Sequence, residues 1–248
     1  MKRAEIRSRP SFWCLLLIMA VRILLSDVDG SRAQEKQVVI GNKNFTEQYI
    51  IGQMMKQLLE EEGFAVVLRP DLTSMALRAG MQSGEVDIAA EYTGTAWMIH
   101  LQRKYTPGTG NNALYEKVKK ADKENGFIWL HPIWNNNTYG LASWPDFVRA
   151  HGLKTLSDLA ELYRSRDVEI MTFINFEFSA RPDGLHALED IYAFEIARSH
   201  LKTVTPGVSV LGLEQREAKV AMVFGTDPAI PQHDWHLYLD DKSAFPPL

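Results

Sequence analysis

The sequence has only one cysteine, and that residue lies in a segment predicted to be removed. Cys14 belongs to residues 12–21 (FWCLLLIMAV), an apolar run that follows several basic residues, as in a secretory signal. Arg22 interrupts the run, which is shorter than a membrane span of about 20 apolar residues. We predict that residues 1–33 are a cleaved signal peptide and that the protein is periplasmic; an N-terminal anchor or a misplaced start is the alternative. The mature chain would then have no disulfide and no thiolate chemistry.

An excess of positive charge is also missing. The formal net charge is −4, from 27 Lys and Arg against 31 Asp and Glu. Removal of residues 1–33 takes away six basic and three acidic residues, which changes the net charge to −7. An acidic soluble protein is poorly suited to nucleic acids and to anionic membrane surfaces. We therefore expect no nucleic-acid partner.

Sequence signatures of catalysis and metal binding are absent as well. The seven histidines are scattered, and His233 and His236 flank Trp235 in a segment that reads as a loop. The sequence has no G-x-S-x-G, no H-E-x-x-H and no glycine-rich phosphate loop. We predict no metal site, no cofactor and no enzymatic activity. A catalytic triad built from scattered residues stays open as an alternative without positive support.

The order of apolar segments predicts an α/β fold. Three short apolar strands alternate with two helices in the first part of the chain, with strands at 38–40, 64–68 and 86–90 and helices at 47–61 and 74–83. This order is typical of a parallel, doubly wound sheet with right-handed crossovers. Further strands are expected at 139–143, 168–173 and 220–224, and further helices at 111–126, 156–163, 184–200 and 213–218.

The segment 84–97 (GEVDIAAEYTGTAW) loses its hydrophobicity abruptly where the third strand ends. Ligands of open α/β sheets lie at the carboxyl ends of strands. Glu91 and Tyr92, followed by two threonines and a glycine, would offer an aromatic face and hydroxyl and backbone donors there. Residues 220–227 (VAMVFGTD) repeat the pattern of a strand, an aromatic residue, glycine and threonine, which suggests two similar lobes.

Aromatic residues are the strongest chemical signal. Six of them lie at predicted strand ends or in loops: Tyr92, Trp97, Trp134, Tyr139, Trp144 and Phe224. Any one of them alone is more simply explained as half-buried packing. If several converge on one cleft, their faces would attract a quaternary ammonium group.

Two basic residues lie where they could meet an anion. Lys43 stands between a strand and the start of a helix, which suits an anionic group, although a capped helix with a surface lysine is the simpler explanation. Arg181 opens the turn 181–184 (RPDG), in which Asp183 is the expected N-cap of the next helix. Arg181 could instead pair with a carboxylate.

Several segments together resemble the substrate-binding proteins of ABC importers for glycine betaine, choline and related osmoprotectants. They are 40–53 (IGNKNFTEQYIIGQ), 83–97 (SGEVDIAAEYTGTAW), 132–142 (PIWNNNTYGLA), 176–185 (FEFSARPDGL), 220–227 (VAMVFGTD) and 239–247 (LDDKSAFPP). The resemblance runs from about Gln37 to the last residue. It implies a type II periplasmic binding protein with two doubly wound α/β lobes joined by a hinge. Such a protein binds a quaternary ammonium solute between the lobes, docks on a membrane permease and catalyses no reaction.

The resemblance also implies which residues bind the ligand. Some match the family's aromatic cage for a trimethylammonium head, and others match positions around the ligand's polar end. The cage residues are Tyr92, Tyr139 and Phe224, with Asn137 as a polar contact. The polar-end residues are Lys43, Thr95 and Arg181. Many members have tyrosine at the position of Phe224, where phenylalanine keeps the ring face and loses the hydroxyl.

At its end, the sequence departs from the family pattern. The family's F-P-P-Y is here 245–248 (FPPL), so Leu248 stands where a fourth cage aromatic is expected. Members continue with helices that complete the first lobe. We therefore expect a C-terminal truncation and exposed apolar faces on that lobe.

The expected division gives lobe one residues 37–138 plus 226–248 and lobe two residues 139–225. Three alternatives to a quaternary ammonium binder stay open. One is a binding protein of the same fold for another small polar solute, such as an amino acid. The second is an enzyme on a similar two-lobed fold, and the third is a truncated product with weak or no binding.

Overall fold

The computed structural model describes residues 37–106, 108–133 and 135–246. The predicted signal peptide, Trp134 and Leu248 lie outside these residues. Within the described ranges, no helix combines the length and apolar character needed to cross a membrane.

The first sheet consists of three parallel strands in the order β2–β1–β3. Its elements are β1 (Gln37–Lys43), α1 (Thr46–Glu61), β2 (Ala65–Leu72), α2 (Ser74–Ser83) and β3 (Ile88–Ala89). The predicted β-α-β-α-β order and the parallel sheet are confirmed. Thr73 caps α2, and Gly84 ends that helix with a φ of 76°, which glycine adopts without strain.

A short helical segment and a longer helix follow β3. These are α3 (Thr93–Thr95), which continues as a π-helical turn at Ala96–His100, and α4 (Asn111–Lys123). The acidic and aromatic residues Glu91 and Tyr92 thus lie between β3 and α3, at the carboxyl edge of the first sheet.

The second sheet is mixed, with five strands in the order β6–β5–β7–β4–β8. Its elements are β4 (Tyr139–Ser143), α5 (Pro145–His151), α6 (Leu156–Ser165), β5 (Thr172–Asn175), α7 (Phe176–Ala180), α8 (Leu185–Tyr192), β6 (Leu201–Val204), α9 (Pro206–Glu214), β7 (Val220–Phe224), α10 (Ala229–Gln232) and β8 (His236–Leu237). Strand β4 runs antiparallel to both of its neighbours, β7 and β8. The strands at 139–143 and 220–224 lie where they were predicted.

Two helix predictions in this part of the chain were wrong in their bounds. The helix predicted at 184–200 ends at Tyr192, because Ala193 takes a left-handed φ of 54°. The helix predicted at 213–218 is α9, which begins at Pro206, a residue well suited to a first helical position because it needs no N–H partner there.

The predicted membership of residues 226–248 in the first lobe is wrong for most of this segment. Strand β8 pairs with β4 through Ala142 opposite Leu237 and Ser143 opposite His236. Further along, Tyr238 and Phe245 are buried in the core of the second sheet. The segment therefore returns to β4 and fills the second core with its apolar side chains.

Helix α1 leaves part of its apolar side uncovered. Ile50, Met54 and Leu58, each four residues apart and so on one face, are 56 %, 56 % and 63 % exposed. Gln48 and Gly52 are instead buried against the sheet side. Helix α1 therefore presents an exposed apolar face to solvent.

Candidate functional site

Residues from both sheets line one cavity of about 120 Å³. The cavity lies where β1, the β3–α3 connection, β4 and β7 bring their polar and aromatic ends together. All seven residues predicted as ligand contacts line it: Lys43, Tyr92, Thr95, Asn137, Tyr139, Arg181 and Phe224. The structure thus brings together residues that lie up to 181 positions apart in sequence.

Four aromatic rings form a continuous wall of this cavity. Phe45 stacks on Phe224 with ring centroids 4.2 Å apart and an interplanar angle of 22°. Tyr139 lies 5.5 Å from Phe224, its direct partner in the β4–β7 register, and Tyr92 lies 6.0 Å from Phe45. The wall therefore combines two rings that follow strands of the first sheet with two rings that lie on strands of the second sheet.

Phe45 is a wall residue that sequence reasoning missed. It is the N-cap of α1, with an extended backbone and no side-chain capping bond, so its ring is free to face the cavity. The signal was present in the segment 40–53, where an aromatic residue stands between a strand and a helix.

The hydroxyl of Tyr92 is held by three polar side chains. It donates to Glu47 Oε1 at 2.6 Å and accepts from Gln48 Nε2 at 3.0 Å and Asn137 Nδ2 at 3.4 Å. Burial raises the pKa of Tyr92, and the hydrogen bond to Glu47 raises it further, so the phenol stays neutral. Asn137 is itself fixed, because its Oδ1 accepts from the Thr226 hydroxyl at 2.8 Å. This network orients the Tyr92 ring.

Lys43 lines the cavity as part of a buried ion-pair chain. Its Nζ lies 2.5 Å from Glu91 Oε1, and the other oxygen of Glu91 lies 3.0 Å from His100 Nε2. Lys43 Nζ also lies 4.9 Å from the centroid of the Tyr92 ring. Burial by itself raises the pKa of Glu91, but Lys43 and His100 outweigh it and lower that pKa to about 2. The positive charge of Lys43 is therefore balanced within the protein.

The lowered pKa of Glu91 predicts an acid-dependent loss of stability. Because the folded pKa of about 2 lies below the ordinary value of 4.5, the pair stabilises the fold above about pH 4.5 and ceases to do so as the pH falls towards 2. The shift corresponds to about 3 kcal/mol of unfolding free energy. We expect Glu91→Gln to be less stable than wild type by about that amount at pH 7, as measured by urea unfolding, and the gap to narrow between pH 5 and pH 3.

A matched control for this prediction is Glu85→Gln. Glu85 pairs with Arg69 at the surface, where both side chains are about half exposed, so its loss should matter little at any pH. A stability gap for Glu91→Gln that stays constant from pH 7 to pH 3 would contradict the assignment.

Arg181 is a buried cation with its own carboxylate partner. Its guanidinium binds Asp183 through two hydrogen bonds of 2.8 and 2.6 Å. Burial by itself lowers the pKa of Arg181, but Asp183, Tyr139 and Glu177 together outweigh burial and raise that pKa. The expected N-cap role of Asp183 is wrong, because Gly184 occupies that position of α8 and the Asp183 side chain is committed to Arg181. Arg181 therefore pairs with a carboxylate, which was one of the two roles that the sequence left open for it.

Arg181 also joins the two lobes across the cavity. Its Nη1 donates to Thr95 Oγ1 at 3.1 Å and to Glu177 Oε1 at 3.3 Å. Glu177 in turn accepts from the Ser74 hydroxyl at 2.5 Å, at the start of α2. Arg181 further lies 5.3 Å from the centroid of the Tyr139 ring. The polar side of the cavity is thus a hydrogen-bonded network between α2, α3 and α7.

Trp97 and Trp144, which the sequence also singled out, do not line this cavity. Trp97 packs beside Leu114 and donates to Lys104 O, and Trp144 packs near Trp235 and donates to Leu213 O. Trp134 lies outside the described residues. In the part of the chain that the structure describes, no group of three or more His, Cys, Asp and Glu side chains is arranged to hold a metal ion.

The chain is similar to known proteins over most of its length. Residues 36–248 match the family described as the substrate-binding domain of ABC-type glycine betaine transport systems. A glycine-betaine-binding protein of Pseudomonas aeruginosa PAO1 is 32% identical over 221 residues, which cover 86% of this chain and 70% of that protein. The glycine betaine-binding protein YehZ of Escherichia coli K12 is 32% identical over 212 residues, or 83% of this chain and 69% of that protein.

Solved structures agree with these sequence matches. A structure of apo YehZ from Escherichia coli superposes with a TM-score of 0.57 at 30% identity, covering 86% of this chain and 77% of that one. A crystal structure of a glycine betaine/carnitine/choline ABC transporter protein superposes with a TM-score of 0.64 at 22% identity, covering 85% and 76% of the two chains. The second likeness concerns the fold alone.

Proposed function

Because the chain belongs to the family of substrate-binding domains of ABC-type glycine betaine transport systems, we propose that it binds a quaternary ammonium osmoprotectant in an aromatic cage between its two lobes. Its fold is that of type II periplasmic binding proteins. Proteins of this family are binding components of importers, so the chain is not an enzyme. The family membership confirms the resemblance that the sequence motifs carried.

The observation that carries this proposal is the wall of four rings formed by Phe45, Tyr92, Tyr139 and Phe224. A trimethylammonium group has no N–H and cannot donate a hydrogen bond from its nitrogen. Aromatic faces attract such a cation electrostatically, and each face contributes about 0.5–2 kcal/mol. A cavity walled by four rings therefore suits this head group.

The polar side of the cavity offers donors to the other end of a ligand. Lys43, Thr95 and Arg181 all line the cavity, and each also has a protein partner. We expect a ligand carboxylate or hydroxyl to share these donors. The cage half and the polar half together fit a small solute such as glycine betaine, choline or carnitine.

An amino acid is the runner-up ligand. Its primary ammonium group would need hydrogen-bond acceptors in place of ring faces. The four-ring wall favours the methylated cation, because Phe45 and Phe224 offer no acceptor.

The same proposal covers location and partner. We expect a periplasmic protein whose signal peptide is cleaved and whose lobes close by a hinge over the solute. The hydrogen bonds Ser74–Glu177 and Thr95–Arg181 join the lobes at the cavity. The closed form would then dock on a membrane permease.

Calorimetric titration with glycine betaine, choline and carnitine tests the proposal, with glycine as the matched ligand. Glycine and glycine betaine differ only in three N-methyl groups, so a cage should bind glycine betaine and leave glycine unbound. Equal affinity for both would contradict the cage. Failure of the folded protein to bind any of the methylated solutes would overturn the function itself.

A further inference from the structure

Phe176 is an exposed aromatic residue that lines the rim of the cavity. The residue is 61 % exposed, and its ring has no aromatic or cationic partner within the described part of the chain. A large apolar side chain left in water at the edge of a binding cavity is an informative exception to burial. The fold itself gains little from this ring.

The backbone under Phe176 is nevertheless firmly anchored. Asn175 caps α7 by accepting from the Phe178 N–H at 2.6 Å, and Phe178 is completely buried in the core. On the other side, Glu177 binds Ser74 at the start of α2. Phe176 therefore starts α7 at a fixed position, where elements of the two lobes meet.

From this geometry, we propose that Phe176 is a further ligand contact, which covers the bound trimethylammonium group once the lobes have closed. The inference rests on the proposed function and extends it by naming a specificity-determining residue. Its ring would supply a face from α7, an element that contributes none of the four wall rings.

A ring that served only to contact another protein would be exposed in the same way. It would, however, leave the affinity for the solute unchanged. The choice between these roles is therefore open to direct measurement on the isolated protein.

The test is calorimetric titration of choline and glycine betaine into wild type, Phe176→Ala, Phe176→Leu and Phe176→Tyr. A cation–ring contact predicts that Phe176→Ala weakens binding by about 3- to 30-fold. Phe176→Leu should also be weaker than wild type, because it keeps apolar bulk and loses the ring, whereas Phe176→Tyr should stay close to wild type. Ile191→Ala, which removes a 41 % exposed apolar side chain of α8 outside the cavity, should bind like wild type.

A neutral ligand distinguishes the cation–ring attraction from the apolar contact that the same ring would make. In 3,3-dimethylbutanol a carbon replaces the nitrogen of choline, so Phe176→Leu should reduce choline binding more than binding of this analogue. Affinities of Phe176→Ala and Phe176→Leu within twofold of wild type would overturn the inference while leaving the proposed function intact. Absence of binding by wild type would overturn both.

Discussion

Replacement of Tyr92 by alanine is expected to weaken binding of glycine betaine or choline by about 30-fold or more. A desolvated cation–ring contact contributes about 2 kcal/mol, which corresponds to a factor of about 30 in the dissociation constant. The substitution also removes the hydroxyl on which Glu47, Gln48 and Asn137 converge, so the remaining wall loses its support. Calorimetric titration at neutral pH measures the effect.

Two further variants distinguish the effect of losing the Tyr92 ring face from the effect of removing any half-buried tyrosine. Tyr92→Phe keeps the ring face, so it should retain most of the affinity and lose only what the ordered hydroxyl contributes. Tyr105→Ala removes another half-buried tyrosine, one that packs beside Ala96 and Leu114 and does not line the cavity. If Tyr92→Ala and Tyr105→Ala weaken binding equally, Tyr92 is not a cage residue.

The first sheet was predictable because its signals are local. Each strand is a short apolar run, and Thr73 and Gly84 mark the bounds of α2 within a few residues of sequence. The edge strands β6 and β8 were missed for the opposite reason. Strand β6 has four residues and β8 has two, with little burial, and their pairing partners are distant in sequence. A sequence pattern within a short window does not predict pairing between strands that are distant in the chain.

The site likewise combines residues that local motifs identify with partners that are distant in sequence. The motifs placed seven residues at the cavity, but they did not identify the distant hydrogen-bond partners of these residues. Glu91 lies 48 residues from Lys43, and Thr95 lies 86 residues from Arg181. Only the fold brings these groups within hydrogen-bond distance. What the sequence could not indicate is therefore which carboxylate balances the charge of Lys43, whereas Asp183, which balances that of Arg181, lies only two residues away.

That balance has an energetic consequence at Arg181. Asp183 is only 3 % exposed and both oxygens of its carboxylate accept from Arg181, so removal of the guanidinium leaves a buried and uncompensated charge. Breaking a buried pair in this way costs about 3–5 kcal/mol of unfolding free energy. We expect Arg181→Ala to lose that much stability in urea unfolding at pH 7, in the absence of any ligand.

A surface pair in the same lobe provides the matched control. Arg216 lies 2.8 Å from Asp146, but both side chains are more than half exposed, so Arg216→Ala should change stability little. The double variant Arg181→Leu/Asp183→Leu removes the uncompensated charge and should recover much of the loss, because replacing both members of a buried pair is far less costly than removing one. Equal destabilisation by Arg181→Ala and Arg216→Ala, or no recovery in the double variant, would show that the buried pair is not what holds this side of the cavity. Recovery of stability without recovery of solute binding would separate the structural role of Arg181 from its proposed role at the ligand's polar end.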